Sequence, residues 1–499
     1  MSTSPLSPRR PRHSTAPKRA PEVDQREWAL TLILGAWLIV MPWTFGTMRE
    51  TGQLAALGLS TAALIVALLP RQLEHVPGML GPVQTRPWRL VTRLPLVWIG
   101  LVLCGYVAVQ GLNPAWAYQQ STTEWWLEKR EAIAWLPSGV DAPFARMNAW
   151  RTLVIWASPF FAGCALWLGI TRRKTLQTLA VVFVLNAVCV TALGMAQRMT
   201  DLNAHLGPFA SGPRNFASFL YRNHAAAYLI VAFAIAAGLG ARHYFRGQDV
   251  KAHSTPAPVF AFLAMILATG ILLSLSRLGV VFGATTAVCL VLWFGFKMWR
   301  QKYRSSPWLM IVTLVVLSGS GAAFLSVIDY APVAARFDSL QGSEGDGSLR
   351  LRILGGEMAR RMFVDAPLWG IGAGGFRHIE PLYNPEFPAL TQDFLFSTSA
   401  YWFQKYVMRD AHNDHLQLLA ELGLMGGLLV YSILAWGLAG LSRRTRRQHP
   451  LCVSTLVATL ALLVFAVFDF PFLNPAVLGS LTLLIALSCR WADLESRPS

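Results

Sequence analysis

Charge is scarce in this chain of 499 residues: Asp, Glu, Lys and Arg make up 14% of it, where soluble domains carry roughly 25%. A soluble enzyme of two or three domains is thereby excluded. Cysteine is scarce as well. The six present, Cys104, Cys164, Cys189, Cys289, Cys452 and Cys489, all lie within or at the ends of apolar runs, with no close pair and no histidine at ligand spacing. That excludes a disulfide framework and a zinc site. Carboxylates number 26 against 43 Lys and Arg, for a net charge of +17. In so apolar a chain the surplus of cations reports topology, not nucleic acid.

What the chain has in quantity is hydrophobic sequence, 54% of all residues, with a mean hydropathy of +0.43. It is arranged in runs of about 17 to 25 residues, the length that crosses a hydrocarbon core roughly 30 Å thick. The expected fold is an all-α polytopic membrane protein. Twelve spans are expected, near 28–46, 53–69, 94–110, 150–170, 175–197, 216–240, 258–274, 278–296, 308–328, 416–440, 452–468 and 473–489. The first run is too long for a signal-peptide core and has no small-residue cleavage site, so no cleaved leader is expected.

The expected organisation is a Ser-, Pro- and Arg-rich tail over 1–27 that cannot bury enough apolar surface to order itself, nine helices over 28–328, a large outer loop over 329–415, three helices over 416–490 and a short tail over 491–499. Placing the first tail in the cytoplasm gathers the clusters Arg71/Arg86/Arg89/Arg93, Arg172/Arg173/Lys174, Arg242/Arg246/Lys251, Lys297/Arg300/Lys302/Arg304 and Arg443/Arg444/Arg446/Arg447 on one side. Positive charge resists translocation, so both tails are expected inside. Two long segments, 111–149 and 329–411, then face out, and long loops of this kind are usually functional. Within the second, 348–363 reads as an amphipathic helix with Leu351, Leu354, Met358 and Met362 on one stripe and Arg350, Glu357 and Arg361 on another face.

Three constellations could carry chemistry. Arg222, in Arg-Asn-His-Ala, falls about 9 Å inside the outward end of its expected span at 1.5 Å per residue. An arginine at the centre of a membrane helix costs at least about 2.5 kcal/mol, so such a residue is expected to face a polar cavity, with Asn223 and His224 beside it. Arg277, in Ser274-Leu-Ser-Arg-Leu-Gly, occupies a short outer connection where Ser274 and Ser276 offer hydroxyls to phosphate oxygens. Third, Arg409-Asp-Ala-His-Asn-Asp-His leads into the tenth span. If it is helical, His412 and His415 share a face while Glu421 points nearly opposite, so Glu421 is not expected to partner His412. Glu344 and Asp346 form the only carboxylate pair resembling a metal motif. The Gly370-Ile-Gly-Ala-Gly-Gly run lacks the glycine spacing and the preceding strand of a dinucleotide loop. Trp116, Trp125, Trp126 and Trp135 in the first outer segment read either as an interfacial aromatic belt or as sugar-stacking rings.

Taken in order, Arg222-Asn-His, Ser274-Leu-Ser-Arg-Leu-Gly, Asp365-Ala-Pro-Leu-Trp-Gly-Ile-Gly-Ala-Gly-Gly-Phe and Ala411-His-Asn-Asp-His-Leu-Gln-Leu-Leu-Ala-Glu-Leu-Gly-Leu-Met-Gly-Gly resemble the bacterial O-antigen ligase and polymerase family, over about 175–440. The resemblance implies a metal-independent envelope glycosyltransferase without a cofactor. Its donor would be a glycan on undecaprenyl diphosphate, and its acceptor lipid A core or another lipid-linked repeat unit at the periplasmic face. It assigns catalytic roles to Arg222, Arg277 and His412, and does not extend to His415. Ser276, Asn223, Arg214 and Asn413 complete the expected substrate-binding set. The residue chemistry agrees: guanidiniums bind phosphate at two points and stay charged, and an imidazole, with an ordinary pKa of about 6.5, suits activation of a hydroxyl. A glycan transporter or flippase would also have twelve helices with intramembrane arginines, and a protein O-oligosaccharyltransferase would share the motifs.

Overall fold

In the computed structural model, which describes residues 24–73, 83–85, 88–122, 125–199, 209, 215–300, 343–383, 408–446 and 448–496, the chain is a polytopic helical membrane protein. Helices α1 (Gln25–Trp43) and α2 (Glu50–Leu68) are followed by a hairpin, β1 (Arg71–Leu73) with β2 (Val83–Thr85), then α3 (Trp88–Val91) and α4 (Pro95–Leu112). Next come β3 (Pro114–Gln120), β4 (Trp125–Lys129) and β5 (Gly139–Asp141), then α5 (Ala149–Gly169), α6 (Arg173–Met199), α7 (Arg222–Asp249), α8 (Ala257–Leu273) and α9 (Arg277–Arg300). The chain ends with α10 (Ser343–Asp365), α11 (Phe376–Tyr383), α12 (Asp414–Thr445), α13 (Pro450–Phe468) and α14 (Pro475–Glu495).

Nine described helices, α2, α4, α5, α6, α7, α9, α12, α13 and α14, are long and apolar enough to cross a membrane. The apolar α1 and the shorter apolar α8 fill two more of the expected spans. The expected span over 308–328 lies outside the described residues, as does Arg214. Helix α7 is the hub of the bundle, buried along nearly its whole length. Its Ala and Gly residues let neighbours approach closely, which is how helices associate in lipid, where apolar burial offers no net gain between them. A Cβ on Gly238 would lie 2.2 Å from Ser454 Oγ of α13, and one on Gly279 of α9 would lie 2.4 Å from Ala226 Cβ of α7.

Helix starts cluster at one end of the bundle, called here the His412 end. Asparagine caps mark three of them: Asn148, Asn413 and Asn474 accept the backbone N–H groups of Arg151, Leu416 and Val477. Each cap contributes about 1 kcal/mol relative to alanine. A small cap of structure covers this end. Its sheet has the order β4-β3-β5, with β3 antiparallel to β4 and parallel to β5. Val140, Met358, Met362, Phe376 and Ile379 form a core between that sheet, α10 and α11. The expected amphipathic helix is α10, with Met358 and Met362 fully buried but Leu351 outside the stripe and exposed.

Two spans differ from their expected form. The span expected over 216–240 begins at Arg222, because Phe216 and Phe219 exchange backbone hydrogen bonds at 3.2 and 3.0 Å in a tight turn and Ala217 adopts a φ of +52°. Arg222 therefore opens α7 instead of lying 9 Å inside it. The tenth span is interrupted: Gly423 has φ 61° and ψ −169° within α12. The break lets the 367–370 turn cross α12, with Leu424 N donating to Pro367 O at 2.7 Å and Ile371 N to Ala420 O at 2.8 Å. A Cβ on Gly423 would sit 2.4 Å from Leu368 O, so both the close approach and the positive φ require glycine. Tyr106 Oη and Gln110 Nε2 of α4 donate to the carbonyls of Leu422 and Glu421 at 2.6 and 3.1 Å, satisfying backbone that the interruption frees.

Candidate active site

The site is built around a residue that stands alone in the sequence. Asp469, the only acidic residue between Cys452 and Trp491, caps the C-terminus of α13 and is fully buried. Its Oδ1 accepts from His412 Nδ1 at 3.3 Å and from Phe470 N at 3.0 Å. Its Oδ2 accepts from Tyr221 Oη at 3.2 Å and from the Asn223 amide, and Arg352 Nη2 of α10 lies 3.6 Å away. Burial alone would raise this carboxyl, but the His412 hydrogen bond, the Arg352 charge and the Asn223 amide outweigh it and hold Asp469 below its ordinary value. Burial, with Asp469 beside it, pushes the Tyr221 phenol the other way, upward.

His412 precedes α12 and takes a φ of +54°, a conformation more open to His than to most side chains but still uncommon outside functional positions. Its ring meets Phe470 edge-on at 4.8 Å, and Phe470 stacks on Tyr221 at 5.3 Å. With Nδ1–H given to Asp469, Nε2 is the ring nitrogen left for another partner. The ring is 27% exposed where Asp469 is wholly enclosed, so of the two the histidine is the one open to solvent.

Arg222 and Arg277 are the first residues of α7 and α9, and both are half-buried. The contact of Gly279 with Ala226 fixes these two helix starts side by side. Leu275, at φ +55°, makes the sharp turn that separates α8 from α9. Two arginines thus stand at adjacent helix N-termini, with a third from α10 beside Asp469.

The other expected residues take mixed places. Asn223 joins the Asp469 cluster. His224 is buried, with Nε2 donating to Phe470 O at 3.1 Å and Nδ1 near Asn474 Nδ2 at 3.4 Å, which makes it a brace for the α13–α14 turn. Ser276 is buried, its Oγ accepting from Gly279 N at 2.9 Å as the cap of α9, and Asn413 caps α12. The Ser274 hydroxyl donates to Ile271 O at 2.6 Å. His415 lies apart, between Tyr431 Oη at 2.9 Å and Leu463 O at 3.0 Å. Glu421 does not reach His412. It accepts from Gly374 N at 2.8 Å and Gln417 Nε2 at 3.1 Å, so the Gly-rich run wraps a carboxylate of its own chain.

Among the described residues no group of three or more His, Cys, Asp and Glu side chains is placed to hold a metal. The side chains of Glu344 and Asp346 lie outside the described residues. A cavity of about 830 Å³ opens between the 129–138 segment and the 366–370 turn, but its lining is mainly apolar and includes neither His412 nor Asp469.

Asp469 and Arg352 were not expected from the sequence. The solitary carboxylate between two apolar spans was a usable signal for the first. Arg352 is one of four arginines between 350 and 361, with Arg350, Arg360 and Arg361, and nothing local distinguishes it.

Residues 262–431 match the family described as O-antigen ligase. The match runs from α8 into α12 and takes in Arg277, Arg352 and His412, while Arg222 and Asp469 lie beyond it. The resemblance carried by the motifs is shown over this segment. No curated protein matches the chain.

Proposed function

We propose that this chain, which carries the O-antigen ligase family over residues 262–431, transfers a glycan from a lipid diphosphate, undecaprenyl diphosphate in a bacterial envelope, to a sugar hydroxyl on lipid A core or on another lipid-linked repeat unit. The family implies a glycosyltransferase-type membrane enzyme with a lipid-linked glycan donor and a glycan acceptor. The finer reading rests on one observation: His412 is held by a buried, ionised Asp469 at the bundle end where Arg222 and Arg277 begin two adjacent helices.

In this reading the acceptor hydroxyl gives its proton to His412 Nε2 as its oxygen attacks the anomeric carbon. The bond from that carbon to the diphosphate breaks on the opposite face, so the configuration inverts. Asp469 holds the ring in the productive tautomer and stabilises the imidazolium that forms, as the carboxylate of a hydrolase triad does. Charge developing on the departing diphosphate is met by Arg222 and Arg277, whose planar forks bind phosphate oxygens at two points. Arg352 keeps Asp469 ionised. Because guanidiniums meet the diphosphate, the transfer needs no metal. The cationic connections at the other end support a cytoplasmic location for that end, which in this reading puts His412 at the periplasmic face of the inner membrane. A flippase would not need a histidine–carboxylate pair at the rim of the bundle.

The test is purified protein in detergent with lipid-linked glycan, acceptor and excess chelator. Turnover that continues with chelator and vanishes in His412→Ala supports the proposal. Turnover that stops with chelator and returns with Mg²⁺ or Mn²⁺ refutes the metal-independent mechanism.

A further inference from the structure

The cap sheet and α11 bring together a second set of polar and aromatic groups, outside the His412 cluster but leading to it. Trp125 of β4 stacks on Tyr118 of β3 at 5.4 Å with planes 23° apart, a pairing that follows from the register setting Gln120 opposite Trp125. The Arg146 guanidinium stands 5.9 Å over the Tyr118 ring and donates to Gln120 Oε1 at 3.2 Å, and Tyr118 Oη donates to the same oxygen. Tyr118 also meets His378 of α11 edge-on at 5.3 Å. The residue before it, Arg377, pairs with Asp410 at 3.3 Å, and Asp410 is two residues from His412.

Tyr118 also packs against the cap core, but the transfer step makes no use of this arrangement. Arg377 and Asp410 are partly exposed, at 28% and 17%, and Arg146 is exposed, so the groups retain donors and acceptors for a ligand. Flat rings beside a guanidinium, a carboxylate and an amide are the combination that binds a pyranose: the ring faces cover its C–H surface, and the planar polar groups take its hydroxyls in pairs. The row ends beside the histidine proposed to deprotonate the acceptor.

We infer that Trp125, Tyr118, Gln120, Arg146, Arg377 and Asp410 form the binding track for the saccharide of the acceptor, holding the sugars that precede the reacting hydroxyl. This rests on the glycosyl-transfer reading given above. The track selects the acceptor and positions it; it takes no part in bond making. Ground-state and transition-state contacts there are equal, so loss of a track residue raises KM for the acceptor without changing kcat.

The experiment uses the full-length protein in detergent, with lipid-linked donor and with the strain's own envelope glycan released from its lipid by mild acid as the binding probe. Trp125→Ala and Arg377→Gln are each expected to raise the acceptor KM about tenfold or more, with kcat and donor KM within about twofold of the parent. The released glycan should change the tryptophan fluorescence of the parent and not that of Trp125→Ala. Since the two substitutions lie on different elements, misfolding of one leaves the other to report. Unchanged acceptor KM in a folded variant with normal turnover overturns the track and leaves the transfer reading intact. Glycan binding that depends on Trp125 in a protein unable to transfer from any lipid-linked donor upholds the track and overturns the transfer reading.

Discussion

At the bundle end that holds the start of α1 and the end of α14, charges are matched closely within the protein. Arg242 meets Glu495 at 2.5 Å and Arg444 meets Asp493 at 2.6 Å, while the buried Glu27 accepts from Thr171, Arg172 and Thr175 at 2.7 to 3.1 Å. At the His412 end one buried carboxylate serves four side chains, and arginines sit at helix starts. Backbone strain divides the same way. Of the eight non-glycine residues with positive φ among the described residues, six, namely Phe45, Thr47, Met147, Ala217, Leu275 and His412, lie at the His412 end, and Lys251 and Gln448 at the other. Such conformations cost of order 1–3 kcal/mol each and persist where the surroundings enforce them. One end of the molecule is optimised to hold together, and the other holds groups in place at some expense of stability.

This contrast breaks if substitutions at the two ends have similar consequences. The largest expected effect is Asp469→Asn, which leaves a side chain of the same size but takes away the anion that fixes the imidazole. Transfer should fall roughly 10²-fold or more, measured as single-turnover rate at equal protein. Next are Arg222→Lys and Arg277→Lys, which keep the charge and lose the fork; each should lose at least about tenfold in rate, and near-normal polymer length in cells at equal membrane abundance would remove that residue from the site. At the opposite end, Glu495→Gln should leave the rate within about twofold yet cost about 2 kcal/mol of stability by stranding the buried Arg242, seen as a lowered melting temperature. A Glu495 variant that loses turnover without loss of stability would dissolve the comparison.

The smallest effect concerns the cap. Burial raises the Glu380 carboxyl to about 7, and its Oε2 has no hydrogen-bond partner among the described residues. Since the folded value exceeds the unfolded one of about 4.3, the protonated form favours folding. That contribution is complete below about 4.3 and is lost as pH rises through 7. Glu380→Gln should therefore raise the melting temperature at pH 8 and leave it nearly unchanged at pH 4, and an equal shift at both would show that ionisation is not the cause.

Much of this was readable from residue order. Apolar runs locate the spans because length and hydropathy suffice in lipid, and the motifs single out Arg222, Arg277 and His412 as the residues the proposed mechanism uses. What could not be read were the partners. Asp469 follows His412 by a whole helical hairpin, and only the antiparallel return of α13 beside α12 brings them together. The glycines of the Asp365–Phe376 and Ala411–Gly427 motifs were equally opaque. Gly423 and Gly370 are there for a crossing of backbone through an interrupted helix, which no periodicity in a single apolar run reveals. The start of α7 was misplaced for a local reason, the Phe216–Phe219 turn, whose apolar residues look like helix in a hydropathy count.

The central claim is that His412, oriented by Asp469, takes the proton of the acceptor. The most direct measurement is the single-turnover transfer rate against pH, with excess chelator, for the parent and for His412→Ala. The account predicts a parent rate that falls on the acid side with one ionisation, and a variant slower by about 10² to 10⁴-fold whose residual rate no longer shows that acid limb. A variant that keeps the parent's rate and the same acid limb would contradict it.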